Sequence, residues 1–171
     1  ICRLMAEMNI DNAAMQIKER GWISVNGPAV GAGALLIAFA NACTRKEINY
    51  QQHCLFVAQE LDFNTACMCY IQLSLLGCPG YVYVGDTITD PCTCLDDNAL
   101  VPAKPEKCWF MQMYFHPTWG GRLMIAQMRM LGDRLFKAPT ESAEKDSAPA
   151  GIPASAPSVQ ELSLIHISEP T

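Results

Sequence analysis

Charge is scarce in this chain: only 17% of its 171 residues are Asp, Glu, Lys or Arg, and histidine occurs three times. Lysine and arginine number 12 against 17 acidic residues, a net charge of −5, which excludes a chain-wide basic surface that would hold nucleic acid by charge alone. Any such contact has to be local. Uninterrupted apolar length is missing as well. The longest uncharged stretch, residues 21–44, is broken by Asn26, Pro28, Gly31, Gly33 and Asn41, which argues against a membrane span. Nothing at the front reads as a secretory signal, and the nine cysteines lie in apolar runs such as Ala66-Cys67-Met68-Cys69-Tyr70. A reducing, cytoplasmic setting is the expectation.

Hydrophobic residues, at 50%, are plentiful enough for one sizeable core, and disorder throughout is excluded. Up to Lys137 the chain carries 11 basic and 12 acidic residues, so the body is nearly neutral and the remaining stretch holds most of the acidic excess. Residues 138–161, dominated by Ala, Pro, Ser and charges, cannot repay the entropy of ordering and are expected to form a disordered tail. Residues 162–171, Leu-Ser-Leu-Ile-His-Ile-Ser-Glu-Pro-Thr, resemble a sequencing adapter translated in frame and are set aside from fold reasoning. Together with Ile1 in place of an initiating Met, they suggest a truncated gene product.

Between these limits strands and helices alternate. Cys2 to Arg20 has helical periodicity and stops at Gly21. Trp22-Ile23-Ser24-Val25 reads as a strand running into a loop, and Ala34 to Ala42 as a largely buried helix. The second unit repeats the plan, with a strand at Cys54 to Ala58 and a helix to Leu76 capped by Asn64 or Thr65. A third strand, Tyr81 to Val84, ends at Gly85-Asp86. After a proline-marked loop, Trp109 to Phe115 is expected to be a strand, and Gly121 to Phe136 a helix with Leu123, Met124, Met128, Leu131 and Leu135 inward. The fold class is therefore α/β, a parallel sheet with helices on both faces.

In such a sheet ligands bind beyond the carboxyl ends of the strands. Three features meet that description: the Gly31-Ala32-Gly33 loop after the first strand, Glu60 and Asp62 after the second, and Asp86 after the third. Glycines let a ligand approach the backbone at a helix start, where free N–H groups point outward. An acid past the second strand can accept from a ribose diol, and one past the third can reach an adenine amino group. The pattern suits an adenosine-containing cofactor. Close helix–strand packing explains the glycines equally well, and Asp62 and Asp86 also read as turn or cap residues.

These residues resemble the N-6 adenine DNA methyltransferases that use S-adenosylmethionine in restriction-modification systems and mobile elements. The family's cofactor loop, Asp/Glu-Pro-x-x-Gly-x-Gly, is matched at Pro28, Gly31 and Gly33 of Gly27-Pro28-Ala29-Val30-Gly31-Ala32-Gly33. Phe56-Val57-Ala58-Gln59-Glu60-Leu61-Asp62 and Tyr70 to Gly77 are similar to the stretch around its ribose-binding acid, and Val84-Gly85-Asp86-Thr87 to its third motif. The resemblance implies a Rossmann-like fold over residues 1–137, with Glu60 on the ribose, Leu61 on the adenine face and Asp86 on the adenine amino group. It also implies DNA as a partner, with a specificity or nuclease subunit.

Two departures accompany the match. Gly27 stands where the family has an acid, and no Asn/Asp-Pro-Pro-Tyr/Phe tetrapeptide occurs, so no catalytic residue is assigned. That loop holds the amino group of an adenine flipped out of the duplex, and methyl transfer is not expected without it. Two rival readings remain. A nicotinamide-dependent oxidoreductase would share the glycine loop and the second acid, but Leu36 stands where its third glycine belongs. The other is a non-catalytic interaction module of degenerate methylase origin. Cys92, Cys94, Cys108 and His116 offer four candidate zinc ligands, but Cys-x-Cys is unlike usual zinc spacing, and no metal is expected. Arg122 and Arg129, with Arg134 and Lys137 beyond, read as a solvated helix face, with phosphate contact as the alternative.

Overall fold

The computed structural model describes residues 1–136 and 166–167. The tail at 138–161, and Lys137 with it, lies outside the described residues. Helix α1 (Cys2–Arg20) ends as the sequence requires, because Gly21 takes a left-handed φ of 85° and its N–H closes on the Ile17 carbonyl at 2.8 Å. Strand β1 (Ile23–Gly27), helix α2 (Ala34–Arg45), a one-turn helix α3 (Tyr50–His53), strand β2 (Cys54–Glu60), helix α4 (Phe63–Leu75) and strand β3 (Gly80–Val84) follow. Two elements remain in the body, strand β4 (Cys108–Phe110) and helix α5 (Pro117–Phe136), and His166–Ile167 form a two-residue strand β5.

The sheet order is β4-β3-β2-β1-β5. Strands β1, β2 and β3 are parallel, with Ile23 opposite Cys54 and Phe56 opposite Gly80, while β4 runs antiparallel outside β3. The fold is thus an α/β open sheet, mostly parallel. A doubly wound sheet of order 3-2-1-4 would bring its fourth strand beside β1. Here β4 lies at the opposite edge, and β1 pairs antiparallel with β5 through Val25 and Asn26. Residues 166–167 were set aside as adapter-like, yet a strand edge carries unpaired backbone groups that any extended segment can meet.

Helices cover the two faces unequally. Two successive crossovers step the same way along the sheet, and a right-handed hand for each puts α2 and α4 on one side. There Leu36, Phe39, Cys69 and Leu73 bury Val25, Phe56, Ala58 and Val82, with α1 packed behind through Ala6, Ile10 and Ala13. Leu55, Val57, Tyr81 and Tyr83 face the other way, where Leu100, Tyr114 and the fully buried Trp119 cover them. The second layer is irregular chain plus the first turns of α5.

Three local expectations are corrected. The α4 cap is Asp62, whose carboxylate accepts from the Thr65 N–H at 2.7 Å, rather than Asn64 or Thr65. Trp109 to Phe115 is not one strand. It leaves the sheet at Met111 and forms a 3-10 turn over Gln112–Phe115 that buries Tyr114, whose hydroxyl donates to the Leu100 carbonyl at 2.7 Å. Helix α5 starts at Pro117, where a missing N–H costs nothing, and its contact with the core ends early. Leu123 and Ala126 still pack on the second layer, but Met124, Met128 and Leu131 are more than half exposed. Trp119 is the fully buried residue of α5, and among the described residues its later turns bury no large side chain.

Gly80 shows how tightly β3 meets β2. Its φ is 141°, and a Cβ there would stand 1.8 Å from the Phe56 carbonyl oxygen. Gly80→Ala is expected to cost about 3 kcal/mol or more, read as a lowered urea midpoint with an unchanged m-value. A loss below about 0.5 kcal/mol would show that the strands separate freely at this point.

Candidate functional site

The carboxyl ends of β1, β2 and β3 carry the three corners singled out in the sequence, and hydrogen bonds bring them together. After β1 the chain turns through Gly31 at φ 56° and Gly33 at φ 92°. Gly33 has a packing reason, since a Cβ would meet the Cys69 sulfur at 3.0 Å. Gly31 has none of that kind: a Cβ there would meet nothing within 4 Å. Its outward side is open. Gly33 is also the N-cap of α2 and supplies no side chain, so the first N–H groups of a twelve-residue helix lack a side-chain cap beside this opening.

Glu60, the last residue of β2, links two corners. One carboxylate oxygen accepts the Gly31 N–H at 2.8 Å, and the other accepts the Asp62 N–H at 3.2 Å. An ionised carboxylate offers about four acceptor positions, so two remain for hydroxyl donors. The third corner is fastened from the same strand end: the Gly85 N–H donates to the Glu60 carbonyl at 3.0 Å. Thr87 closes the ring, its hydroxyl donating to the Pro28 carbonyl of the glycine loop.

Gln59 was quoted in the sequence motif without a role, and the structure supplies one. It is 2% exposed, points to the second face, and uses its whole amide. The nitrogen donates to the carbonyls of Gly85 at 3.0 Å and Asp90 at 2.9 Å, and the oxygen accepts the Cys92 N–H at 2.9 Å. The signal in the sequence was a polar residue at the inward phase of an otherwise apolar strand. Such a group is expensive to bury unless it is fully bonded.

Asp86 turns its carboxylate back on the Ile88 N–H at 2.9 Å, and that bond, with Thr89, holds its pKa below the ordinary carboxylate range. Asp62 is depressed by the Thr65 hydroxyl and N–H and serves the α4 cap. Leu61 is 68% exposed at the second corner. Ile88, unremarked in the sequence, is 90% exposed at the third. Large apolar side chains left in water beside two carboxylates suit a ligand with a flat apolar face and polar edges.

At Gly27 the structure departs from what the methionine end of S-adenosylmethionine would need. Gly27 carries no acid, and a Cβ there would stand 2.4 Å from Val30 Cγ1, so a larger residue would require the half-buried Val30 side chain to shift. The amino group of a methionine end would lack that carboxylate. The two Asp-Pro and His-Pro segments are engaged within the protein: Asp90 is paired with Lys104 at 2.6 Å and Lys107 at 2.5 Å, and the His116 ring faces the Thr118 N–H at 3.4 Å. The zinc alternative finds no support in placement: Cys94 lies 3.3 Å from the Tyr81 hydroxyl, Cys108 donates to the Lys104 carbonyl, and among the described residues no group of three or more His, Cys, Asp or Glu is placed to hold a metal. No helix among the described residues is long and apolar enough to cross a membrane.

The lysines give the site a pH signature. Hydrogen bonds from Lys104 first, then Lys107, pull the Asp90 carboxyl far below its ordinary value of 3.8. A depressed folded-state value stabilises the structure above the unfolded value, and this contribution is lost as pH falls toward the folded one. Amide-exchange protection across residues 89–107 is therefore expected to decline below about pH 4, and Asp90→Asn to remove that pH dependence. Carboxyl-carbon NMR is the direct check, and an Asp90 midpoint at 3.8 or above would contradict the pairing. No protein-family model, no curated protein and no solved structure matches this chain.

Proposed function

We propose that this chain supplies the S-adenosylmethionine-binding part of a Rossmann-like DNA adenine N-6 methyltransferase, with a crevice that grips the adenosine end of the cofactor. The observation that carries the reading is the Glu60 carboxylate bonded to Gly31 N–H at 2.8 Å, with Gly85 and Thr87 fastened to the same two strand ends. That network supports a single binding rim built from the matched motifs. On this reading Glu60 takes the ribose hydroxyls with its spare acceptor positions. Leu61 and Ile88 lie against the adenine faces, and Asp86 accepts from its amino group. Pro28, Gly31 and Gly33 shape the backbone for close approach, with the α2 start facing the ligand. The cofactor, when bound, supplies an electrophilic methyl group; this chain's residues bind and orient it. No residue is assigned to hold a target base, since the Asn/Asp-Pro-Pro-Tyr/Phe loop does not occur in the sequence. DNA and a specificity or nuclease subunit are the partners this reading implies.

A second reading, a non-catalytic interaction module of methylase descent, is favoured by Gly27 and by the exposed Met124, Met128 and Leu131 of α5.

Titration calorimetry separates the two. S-adenosylmethionine and adenosine are expected to bind with affinities within about threefold of each other, because the methionine end lacks its carboxylate. Glu60→Gln and Asp86→Ala are each expected to weaken binding by about tenfold or more, the loss of hydrogen bonds to a charged acceptor. Transfer of labelled methyl to DNA by this chain alone is expected to be undetectable. No heat with either ligand, together with tight capture of a methylase specificity subunit, would favour the interaction module and overturn the cofactor reading.

A further inference from the structure

We infer that a second binding site, for a phosphate group, lies at the rim opposite the cofactor crevice, in a cleft where Arg20, Arg122 and Arg129 converge beside Trp22. The cleft has a volume of about 370 Å³ and is also lined by Asp96, Asn98 and Leu100. Its position follows from the chain: Arg20 and Trp22 precede β1, and the Arg122 guanidinium donates at 2.6 Å to the carbonyl of Gln52, just before β2. Both lie at the amino ends of the strands. The sequence singled out Arg122 and Arg129 but had no way to add Arg20, which joins them from α1, more than a hundred residues away in sequence.

Arg122 is built into its place. Its guanidinium lies 4.4 Å from the Trp119 ring centroid and 5.5 Å from that of Trp22, and the two rings pack edge to face at 5.3 Å. Half-buried, it has no carboxylate partner among the described residues, and desolvation lowers its pKa. Only one of its five N–H donors is spent on Gln52. The two rings hold this cation in a fixed place by cation–π attraction and leave most of its N–H donors free for an anion.

The cleft's one lining carboxylate does not supply that charge. Asp96 accepts backbone N–H groups from Asn98 at 3.2 Å, Leu100 at 3.1 Å and Val101 at 2.6 Å, and it forms no ion pair. Elsewhere Arg45 pairs with Glu7, Lys46 with Asp11, and Lys104 and Lys107 with Asp90, while Arg3 and Lys18 of α1 make no ion pair among the described residues. Arg20 and Arg129 make no ion pair among the described residues. The plain alternative for Arg20 is a helix C-terminus met by a cation, but that leaves its convergence with two arginines of α5 unexplained. Guanidinium forks match the paired oxygens of a phosphate, whose source is either a nucleic-acid backbone or a free phosphate.

The test uses the full chain and two probes at constant ionic strength, inorganic phosphate and a short DNA duplex, followed by NMR of the Trp22 indole and Arg122 side-chain N–H signals. Saturable shifts with phosphate, absent with chloride, are expected. The double variant Arg20→Gln/Arg129→Gln, whose side chains are exposed, is expected to weaken them about tenfold with an unchanged circular dichroism spectrum. Duplex binding whose salt dependence falls by about two in that variant would identify nucleic-acid backbone as the source. Saturable phosphate shifts without duplex binding would identify free phosphate. No saturable shift with either probe, or shifts the double variant leaves unchanged, would overturn the proposal.

Discussion

The end of β2 bears the weight of this architecture. Gln59 and Glu60 are adjacent residues pointing to opposite sides of the sheet, and between them they hold every loop that emerges at its carboxyl rim. Glu60 reaches across to the Gly31 backbone and down to Asp62, while its carbonyl takes the Gly85 N–H. Gln59 ties Gly85, Asp90 and Cys92 underneath. A parallel strand exposes its last backbone groups to water unless something satisfies them, and here two polar side chains do so while fixing the loops' relative positions. The geometry of this rim is therefore set by hydrogen bonds within the protein.

The core behind this rim is ordinary apolar packing, with small residues such as Ala58, Ala66 and Cys69 permitting α2 and α4 to lie close to the strands. The thiols take part in this as small apolar groups. Burial pushes Cys69 and Cys78 up to about 12, which keeps them protonated and poor nucleophiles near neutral pH. The two rims of the sheet then differ in charge. Acids crowd the carboxyl side at Glu60, Asp62 and Asp86, and arginines gather at the amino side.

Departures from the expected layering share one cause. With β1, β2 and β3 stepping in a single direction, all the crossover helices fall on one face. The opposite face has to be closed by whatever follows β3. That is the segment from Asp86 to Trp119, where the aromatic rings of Tyr81, Phe110 and Tyr114 pack edge-on and tilted around one another. Helix α5 is left with an apolar stripe it does not bury, and the free edge of β1 meets only two residues.

Much of this was legible in the residues alone. Helix α1 and its glycine stop, the three parallel strands, and the corners at Gly31, Gly33, Glu60 and Asp86 follow from periodicity, turn chemistry and spacing, because those are local properties of a chain that repeats one supersecondary unit. The bonding of Glu60 to Gly31, the role of Gln59, the close packing of Val30 on Gly27, the placement of β4 outside β3 and the meeting of Arg20 with Arg122 were decided only in three dimensions. Each depends on a contact between segments far apart in sequence. Such contacts are settled by which strand edge is free and which side chain fits the remaining space, and periodicity carries no information about either.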